Sequence, residues 1–142
     1  MYRVLLPIDS NVERATAQAS AVLDLPHASD SVTATVLHVF EDEVTAEKTS
    51  IEQTTSGKKM LQMLRDAGVD VETVSVHGDP EERIVTAAAK READMIILGG
   101  RKRSPLGALV FGSVSQAVIL DSDRPVTVTG SGVDGTAESS PA

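Results

Sequence analysis

The stretch L-G-G-R-K-R-S-P-L-G-A-L-V-F-G-S-V, residues 98–114, is the most informative part of this chain. It follows the apolar run 95–98, which is typical of a buried strand, and it leads into a periodic segment typical of a helix. Glycines permit close approach of the backbone, and the first turn of a helix presents free N–H groups and a positive dipole end. A strand, a glycine-rich loop and a helix start in this order therefore predict a phosphate-binding segment.

Three consecutive cations, Arg101, Lys102 and Arg103, lie in this predicted loop. Two interpretations of them stay open. They contact a bound anion, or they are solvated side chains that balance an acidic surface. Their position among loop glycines, just before a helix start, favours contact with an anion.

Outward from this stretch, predicted strands alternate with predicted helices along the chain. Ser10 or Asn11 is expected to cap the first helix, Gly68 to end the second and Pro80 to begin the third. Segment 41–55 is expected to be a loop that grades into the second helix, and the fourth helix to end before Asp121. The strands are expected at residues 2–8, 32–40, 69–76, 94–98 and 126–129.

This alternation predicts an α/β fold, in which one open parallel five-stranded sheet carries helices on both faces. Ligands of such sheets bind beyond the carboxyl ends of the strands, where the chain order reverses. Asp9 follows the first strand and Gly99 the fourth, so that neighbouring strands would bring Asp9 and the basic loop into one crevice. Asp9 could instead cap the first helix; the adjacent alternatives Ser10 and Asn11 favour a ligand role.

The composition of the chain argues against several classes of function. The 142 residues carry a net charge of −8 and no cysteine, which excludes disulfides and makes general binding of nucleic acid unfavourable. The chain has no apolar run near the ~20 residues of a membrane helix. Its start, M-Y-R-V-L-L-P-I-D, has no leader pattern, which predicts a cytoplasmic protein without a membrane partner. The acidic balance would suit a salt-loving cytoplasm, but ordinary soluble proteins are often acidic too.

The end of the chain differs in composition from the rest. Residues 130–142 are rich in Gly, Ser and Thr, and this composition predicts a disordered tail. The folded domain is expected to span residues 1–129.

Four pieces of the chain, in order, resemble the universal stress protein family. The opening V-L-L-P-I-D and L-H-V-F at residues 37–40 are similar to its first two strands, and D-R-P-V-T-V to its closing strand. ATP-binding members carry G-x2-G-x9-G-[S/T] after the fourth strand. Gly99, Lys102, Gly112 and Ser113 keep that spacing, with Lys102 in place of the second glycine. The resemblance covers nearly all of residues 3–129.

The resemblance implies a Rossmann-like, adenine nucleotide alpha hydrolase-like sheet with strand order 3-2-1-4-5, and a site for ATP, or for AMP or ADP, with Mg²⁺ where ATP binds. It implies that Asp9 bonds the ribose hydroxyls or the adenine edge and that Val39 lies beside the base. The phosphates would lie on the glycine-rich segment. The expected binding residues are Pro7, Asp9, Val39, Gly99, Arg101, Lys102, Arg103, Gly112, Ser113 and Val114.

Three functions are compatible with these residues. The first is a nucleotide-binding regulatory protein of the stress response, which we favour. The second is an enzyme, for which the sequence offers neither G-x4-G-K-[S/T] nor a nucleophile elbow, and at most slow ATP hydrolysis near Asp9. The third is a dimeric interaction module with a vestigial pocket. The strand expected at 126–129 would be an edge strand, and together with the resemblance this predicts a homodimer through residues 124–129.

Overall fold

A computed structural model describes residues 1–103 and 109–130, and the side chains of all of these except 101–103 and 109–110. Its strands are β1 (Tyr2–Ile8), β2 (Val32–Phe40), β3 (Asp70–His77), β4 (Met95–Arg103), β5 (Leu109–Val110) and β6 (Val126–Gly130). Its helices are α1 (Val12–Leu23), α2 (Ala28–Ser31), α3 (Glu43–Lys48), α4 (Thr55–Asp66), α5 (Pro80–Lys90) and α6 (Ser113–Asp121). A 3-10 turn spans Ile51–Gln53.

The main sheet has five parallel strands in the order β3-β2-β1-β4-β6. β6 is the fifth parallel strand, so the predicted order 3-2-1-4-5 is confirmed. The short strand β5 pairs antiparallel with the end of β4. The chain leaves β1 toward β2 on one side and returns to β4 on the other, which places the reversal of chain order between β1 and β4.

Both faces of the sheet are buried, as a parallel sheet requires. Successive β1 residues divide between the two cores: Val4 and Leu6 pack on the face of α1 and α4, and Leu5 packs on the opposite face with α5 and α6. The helices contribute small and apolar residues at helical spacing, such as Ala15 and Ala19 on α1. The helices were predicted from this same spacing of small and apolar residues.

The predicted ends at Asn11, Gly68 and Pro80 agree with the structure, whereas α6 runs one residue past its predicted end, to Asp121. Asn11 caps α1, because its side-chain oxygen accepts a hydrogen bond from the Arg14 N–H at 2.8 Å. Pro80 is the first residue of α5, and Gly68 follows α4 with a φ of 80°, a left-handed conformation that favours glycine. α1 and α5 therefore start where the sequence indicates.

The predicted boundaries of the fourth strand were wrong. β4 does not end at Leu98 but continues to Arg103, so that residues 101–103, expected in a loop, are strand residues. Arg101 pairs with Gly130 of β6, and Lys102 and Arg103 pair with β5. Gly100 permits this with a φ of 97°, and the register with β6 shifts between Leu98 and Arg101. The short helices α2 and α3 were not predicted either.

β6 ends at Gly130, one residue beyond the expected end of the folded domain. Residues 131–142 lie outside the described residues, so the expectation of disorder stays a prediction. None of the helices within the described residues has the length and apolar character needed to cross a membrane.

Candidate functional site

Two adjoining cavities lie at the carboxyl edge of the sheet, at the reversal between β1 and β4. The first, which we call the strand-end cavity, has a volume of about 350 Å³ and includes Pro7, Val39 and Ile84 among its lining residues. The second, the loop cavity, has a volume of about 390 Å³ and includes Gly112 and Ser113. The residues common to both are Asp9, Arg14, Gly99, Val114 and Ser115. These shared residues make the two cavities one groove.

Gln18 of α1 lies at the bottom of this groove and binds the ends of two strands. Its side chain is only 2% exposed, and its amide nitrogen donates to the carbonyl of Pro7 at 2.7 Å and to that of Ile97 at 2.9 Å. Pro7 has no N–H to continue a ladder, and the β1–β4 pairing is limited to Val4 with Met95 and Leu5 with Ile96. Gln18 therefore satisfies the carbonyls at the point where β1 and β4 separate.

The Asp9 carboxylate lies at the junction of the two cavities. One oxygen accepts from the Asn11 N–H and the other from Arg14 Nε, both at 2.9 Å. The Ser56 hydroxyl donates to the Asp9 backbone carbonyl. Because Asn11 caps α1, Asp9 does not serve as the N-cap. A carboxylate has about four lone-pair sites, so these two bonds leave Asp9 able to accept from a ligand hydroxyl.

Three glycines border the loop cavity under different constraints. A Cβ at Gly99 would lie 3.0 Å from Arg14 Cβ, and one at Gly100 would lie 2.8 Å from Arg14 Cδ. A Cβ at Gly112 would meet nothing within 4 Å. The first two glycines therefore accommodate Arg14, whereas packing within the described residues does not require a glycine at position 112.

The N-terminus of α6 opens onto the loop cavity. Gly112 is its N-cap residue and provides no side-chain cap, and the Gln116 N–H makes the bond back to the Gly112 carbonyl at 3.0 Å. The N–H groups of residues 113–115 precede that bond and have no intrahelical acceptor. Together with the helix dipole they form an environment that favours an anion.

The strand-end cavity is more apolar, with Leu37, Val39 and Ile84 among its lining residues. His38 also lines it and stacks on Phe40 with ring centroids 4.2 Å apart. Its Nδ1 atom is buried and has no hydrogen-bond partner within the described residues. Burial lowers the pKa of His38, and the Asp9 charge opposes that shift in part.

The sequence-predicted site residues fall into three groups. Pro7 and Val39 lie on the strand-end cavity, Gly112 and Ser113 on the loop cavity, and Asp9, Gly99 and Val114 on both. The backbones of Arg101, Lys102 and Arg103 belong to β4, and their side chains lie outside the described part of the chain. Their contact with an anion stays a prediction.

Sequence reasoning missed Arg14, Gln18 and Ser115. A signal for the first two was present: Gln18 occupies a core position of α1 beside Ala15 and Ala19, and a polar residue there indicates a specific hydrogen-bonding task. Arg14 lies one turn earlier on the same row of the helix. No cluster of three or more His, Asp or Glu side chains suited to a metal ion occurs within the described residues.

A doubly wound parallel sheet with a groove at its reversal point defines a class of α/β ligand-binding proteins. The family model described as the universal stress protein family matches residues 1–130. The chain belongs to that family, as its sequence motifs predicted.

Curated relatives are similar over part of their length. Stress response protein NhaX of Bacillus subtilis is 39% identical over 66 residues, which cover 46% of this chain and 40% of that protein. Universal stress protein MJ0577 of Methanocaldococcus jannaschii is 34% identical over 89 residues, covering 63% of this chain and 54% of that protein. The matched segments span less than two thirds of these relatives.

Solved structures agree along nearly the whole chain. A universal stress protein from Archaeoglobus fulgidus superposes with a TM-score of 0.72 at 26% identity, covering 91% of this chain and 98% of that one. An Arabidopsis thaliana family member with AMP bound gives 0.71 at 14% identity, covering 98% and 97%. An Archaeoglobus fulgidus member in complex with dAMP gives 0.65 at 21%, covering 91% and 98%. Because the last two structures share less than 25% sequence identity with this chain, their similarity shows a shared fold only.

Proposed function

We propose that this chain is a cytoplasmic regulatory protein of the stress response that binds an adenine nucleotide in the groove. The observation that carries the proposal is the continuity of the groove. An apolar cavity at one end joins an uncapped helix N-terminus at the other, with Asp9 at the junction. A nucleotide has the same order of chemistry: an apolar base, a ribose with hydroxyls, and phosphates.

The strand-end cavity suits the base and the ribose. Leu37, Val39 and Ile84 would contact the flat faces of adenine, and Asp9 would accept from a ribose hydroxyl. Its volume of about 350 Å³ falls within the usual range for small-molecule sites.

The loop cavity suits the phosphates, and its size supports ATP as the ligand. Gly112 leaves the backbone open to close approach, and the N–H groups at the start of α6, with the Ser113 hydroxyl, would donate to phosphate oxygens. AMP and ADP would use the same groove with fewer contacts, and Mg²⁺ would accompany ATP. Family members with AMP or dAMP bound, and one in complex with cyclic AMP, support an adenine nucleotide as the ligand class.

Native mass spectrometry of freshly purified protein tests the proposal first, through the mass of any retained nucleotide. Titration calorimetry with ATP, ADP, AMP and cyclic AMP at near-physiological salt then ranks the ligands. We expect binding of ATP at least as tight as that of AMP. If millimolar ATP, ADP, AMP and cyclic AMP all gave neither heat nor a thermal shift, the protein would be an interaction module with a vestigial pocket.

We also propose a homodimer formed through residues 124–129. β6 pairs with β4 on one side, and the Ile96 N–H donates to the Pro125 carbonyl at 2.9 Å. In a parallel ladder the next bond runs from residue 127, so the amides of Val126 and Val128 face the outer edge. Exposed Ile119 and Leu120 on α6, which precedes β6, add apolar surface near this end of the chain.

Light scattering at micromolar concentration tests the dimer. Val126→Pro removes an outward N–H and should weaken the dimer, while Val126→Ala also removes the branched Val side chain but keeps that N–H and should not. A monomeric wild-type protein in both high and low salt would defeat this part of the proposal.

A further inference from the structure

We propose that Arg14 binds the phosphate next to the ribose, and that the groove therefore selects a 5′-phosphorylated nucleoside over the free nucleoside. This inference rests on the proposed adenine-nucleotide function and assigns a recognition role to a residue that no sequence motif indicated. Three observations carry it: the position of Arg14 in the groove, the way its side chain is held, and the charge around it.

Arg14 lies where the two cavities meet. It lines both of them, together with Asp9 and Gly99. If the ribose occupies the strand-end cavity beside Asp9 and the outer phosphates reach the start of α6, the first phosphate must cross this junction. A group at the junction contacts that phosphate whichever nucleotide is bound.

The side chain of Arg14 is held in place before any ligand arrives. Its Nε donates to Asp9 Oδ2 at 2.9 Å, and its side chain is 30% exposed. A Cβ on Gly100 would lie 2.8 Å from Arg14 Cδ, 3.6 Å from Nε and 3.8 Å from Nη1. The guanidinium end thus lies between the Asp9 carboxylate and the bare backbone of Gly100. A cation fixed in this way loses little side-chain freedom on binding.

The chemistry of the guanidinium fits a phosphate. It has five N–H donors in a planar fork, and within the described residues the hydrogen bond from this group goes to Asp9 alone. A fork of this kind binds two oxygens of one phosphate at once. The remaining donors are therefore sufficient for a phosphate without breaking the bond to Asp9.

The balance of charge requires such a cation. Among the described residues that line the two cavities, Asp9 is the only carboxylate and Arg14 the only Lys or Arg. A phosphate beside Asp9 alone would meet a like charge, which is costly at short range. Arg14 offsets the charge of Asp9, and its remaining N–H donors are available to the phosphate, so ribose recognition and phosphate recognition can occur side by side.

Titration calorimetry with adenosine and AMP tests the proposal on three variants. Arg14→Met keeps most of the stem that packs on Gly100 and removes the guanidinium, and Arg14→Lys keeps the charge without the fork. Arg65→Met is the matched control, because Arg65 forms an exposed ion pair with Glu52 at 3.4 Å and lines neither cavity. Thermal denaturation of each variant verifies that it is folded.

We expect Arg14→Met to weaken AMP binding by roughly tenfold or more and adenosine binding much less, with Arg14→Lys intermediate. Equal losses for adenosine and AMP would overturn the proposal in favour of a structural role, and tighter AMP binding would show that Arg14 obstructs the phosphate. A wild-type protein that binds adenosine as tightly as AMP would overturn the role of Arg14 alone. One that binds neither of these, and no ATP, ADP or cyclic AMP either, would overturn the proposed function as well.

Discussion

The two halves of the groove are built by opposite means. The strand-end cavity is fixed by internal bonds: Gln18 joins the ends of β1 and β4, and Ser56 holds the Asp9 carbonyl. The loop cavity owes its shape to missing side chains, since Gly112 has no neighbour where its Cβ would be and α6 begins without a side-chain cap. Substitutions should therefore act on stability in the first half and on ligand binding in the second.

The largest effect that would sharpen this contrast is expected from Gly112→Val. The backbone at Gly112 has a φ of −67°, which any residue adopts, and an added Cβ meets no described atom within 4 Å. A branched side chain there would fill the space where phosphate oxygens approach the α6 N–H groups. We expect ATP binding by calorimetry to weaken by roughly a hundredfold or more, equivalent to about 2.7 kcal/mol.

The free energy of unfolding of Gly112→Val should fall by no more than about 1 kcal/mol in urea denaturation, because Val is a poorer N-cap residue than Gly but no packed contact is altered. Gly112→Ala is the matched control with the smallest side chain and should give a smaller loss of affinity. A strongly destabilised Gly112→Val would contradict the view that this half of the groove is shaped for a ligand alone.

The next effect is expected in the strand-end half, from Gln18→Met. Met has a similar volume but cannot donate, so the carbonyls of Pro7 and Ile97 lose their partner at the bottom of the groove. Each buried polar group left unpaired costs about 1–3 kcal/mol, and we expect a total loss of about 2 kcal/mol in urea denaturation. Gln18→Glu keeps the shape and places a carboxylate against two carbonyls, which should be worse. Unchanged stability in both variants would mean that Gln18 does not hold the strand ends.

Gly100→Ala should reduce both the stability of the fold and the affinity for the ligand. The φ of 97° strains any side chain, and the new methyl group would displace the Arg14 stem, whose Cδ lies 2.8 Å from its position. We expect a loss of about 1–2 kcal/mol in the free energy of unfolding and a weaker affinity for AMP. Gly99→Ala is the comparison, since Gly99 has no positive φ and its nearest contact is 3.0 Å. Equal losses at the two positions would show that contact with Arg14 matters more than backbone conformation.

The sequence predicted the parts of the fold that follow from periodicity and turn chemistry. Hydrophobic runs indicated the five parallel strands, and Asn11, Gly68 and Pro80 indicated helix ends because each acts locally. The extent of β4 could not be predicted, since a Gly-Gly pair indicates a loop unless the pairing of Arg101 with Gly130 and of Lys102 with Val110 is known. Such pairings depend on distant segments.

The residues of the candidate site likewise include some that the sequence could predict and one that it could not. Asp9 and Gly112 belong to motifs with fixed spacing, and their positions on one groove follow from the strand order. Arg14 belongs to no motif. Its role depends on a bond to Asp9 and on packing against Gly100, residues that α1 and β4 bring together only in the folded chain.

The smallest effect concerns His38, at the rim between the site and the core. Its pKa is lowered from 6.5, chiefly because burial disfavours the charged imidazole, with Asp9 acting in the opposite sense. The unfolded chain then binds more protons than the folded one below pH 6.5. Stability is therefore full above that pH and falls as the pH drops from 6.5 toward the lowered pKa, below which it levels off.

Urea denaturation between pH 7.5 and 5 measures this dependence, which for a single proton cannot exceed about 1.4 kcal/mol per pH unit. His38→Gln should flatten the curve over that range. Saturating nucleotide should not abolish the slope, because the unpartnered Nδ1 is buried beside Phe40 rather than engaged by the ligand. If saturating nucleotide abolished the slope, His38 would instead be a residue that contacts the bound ligand.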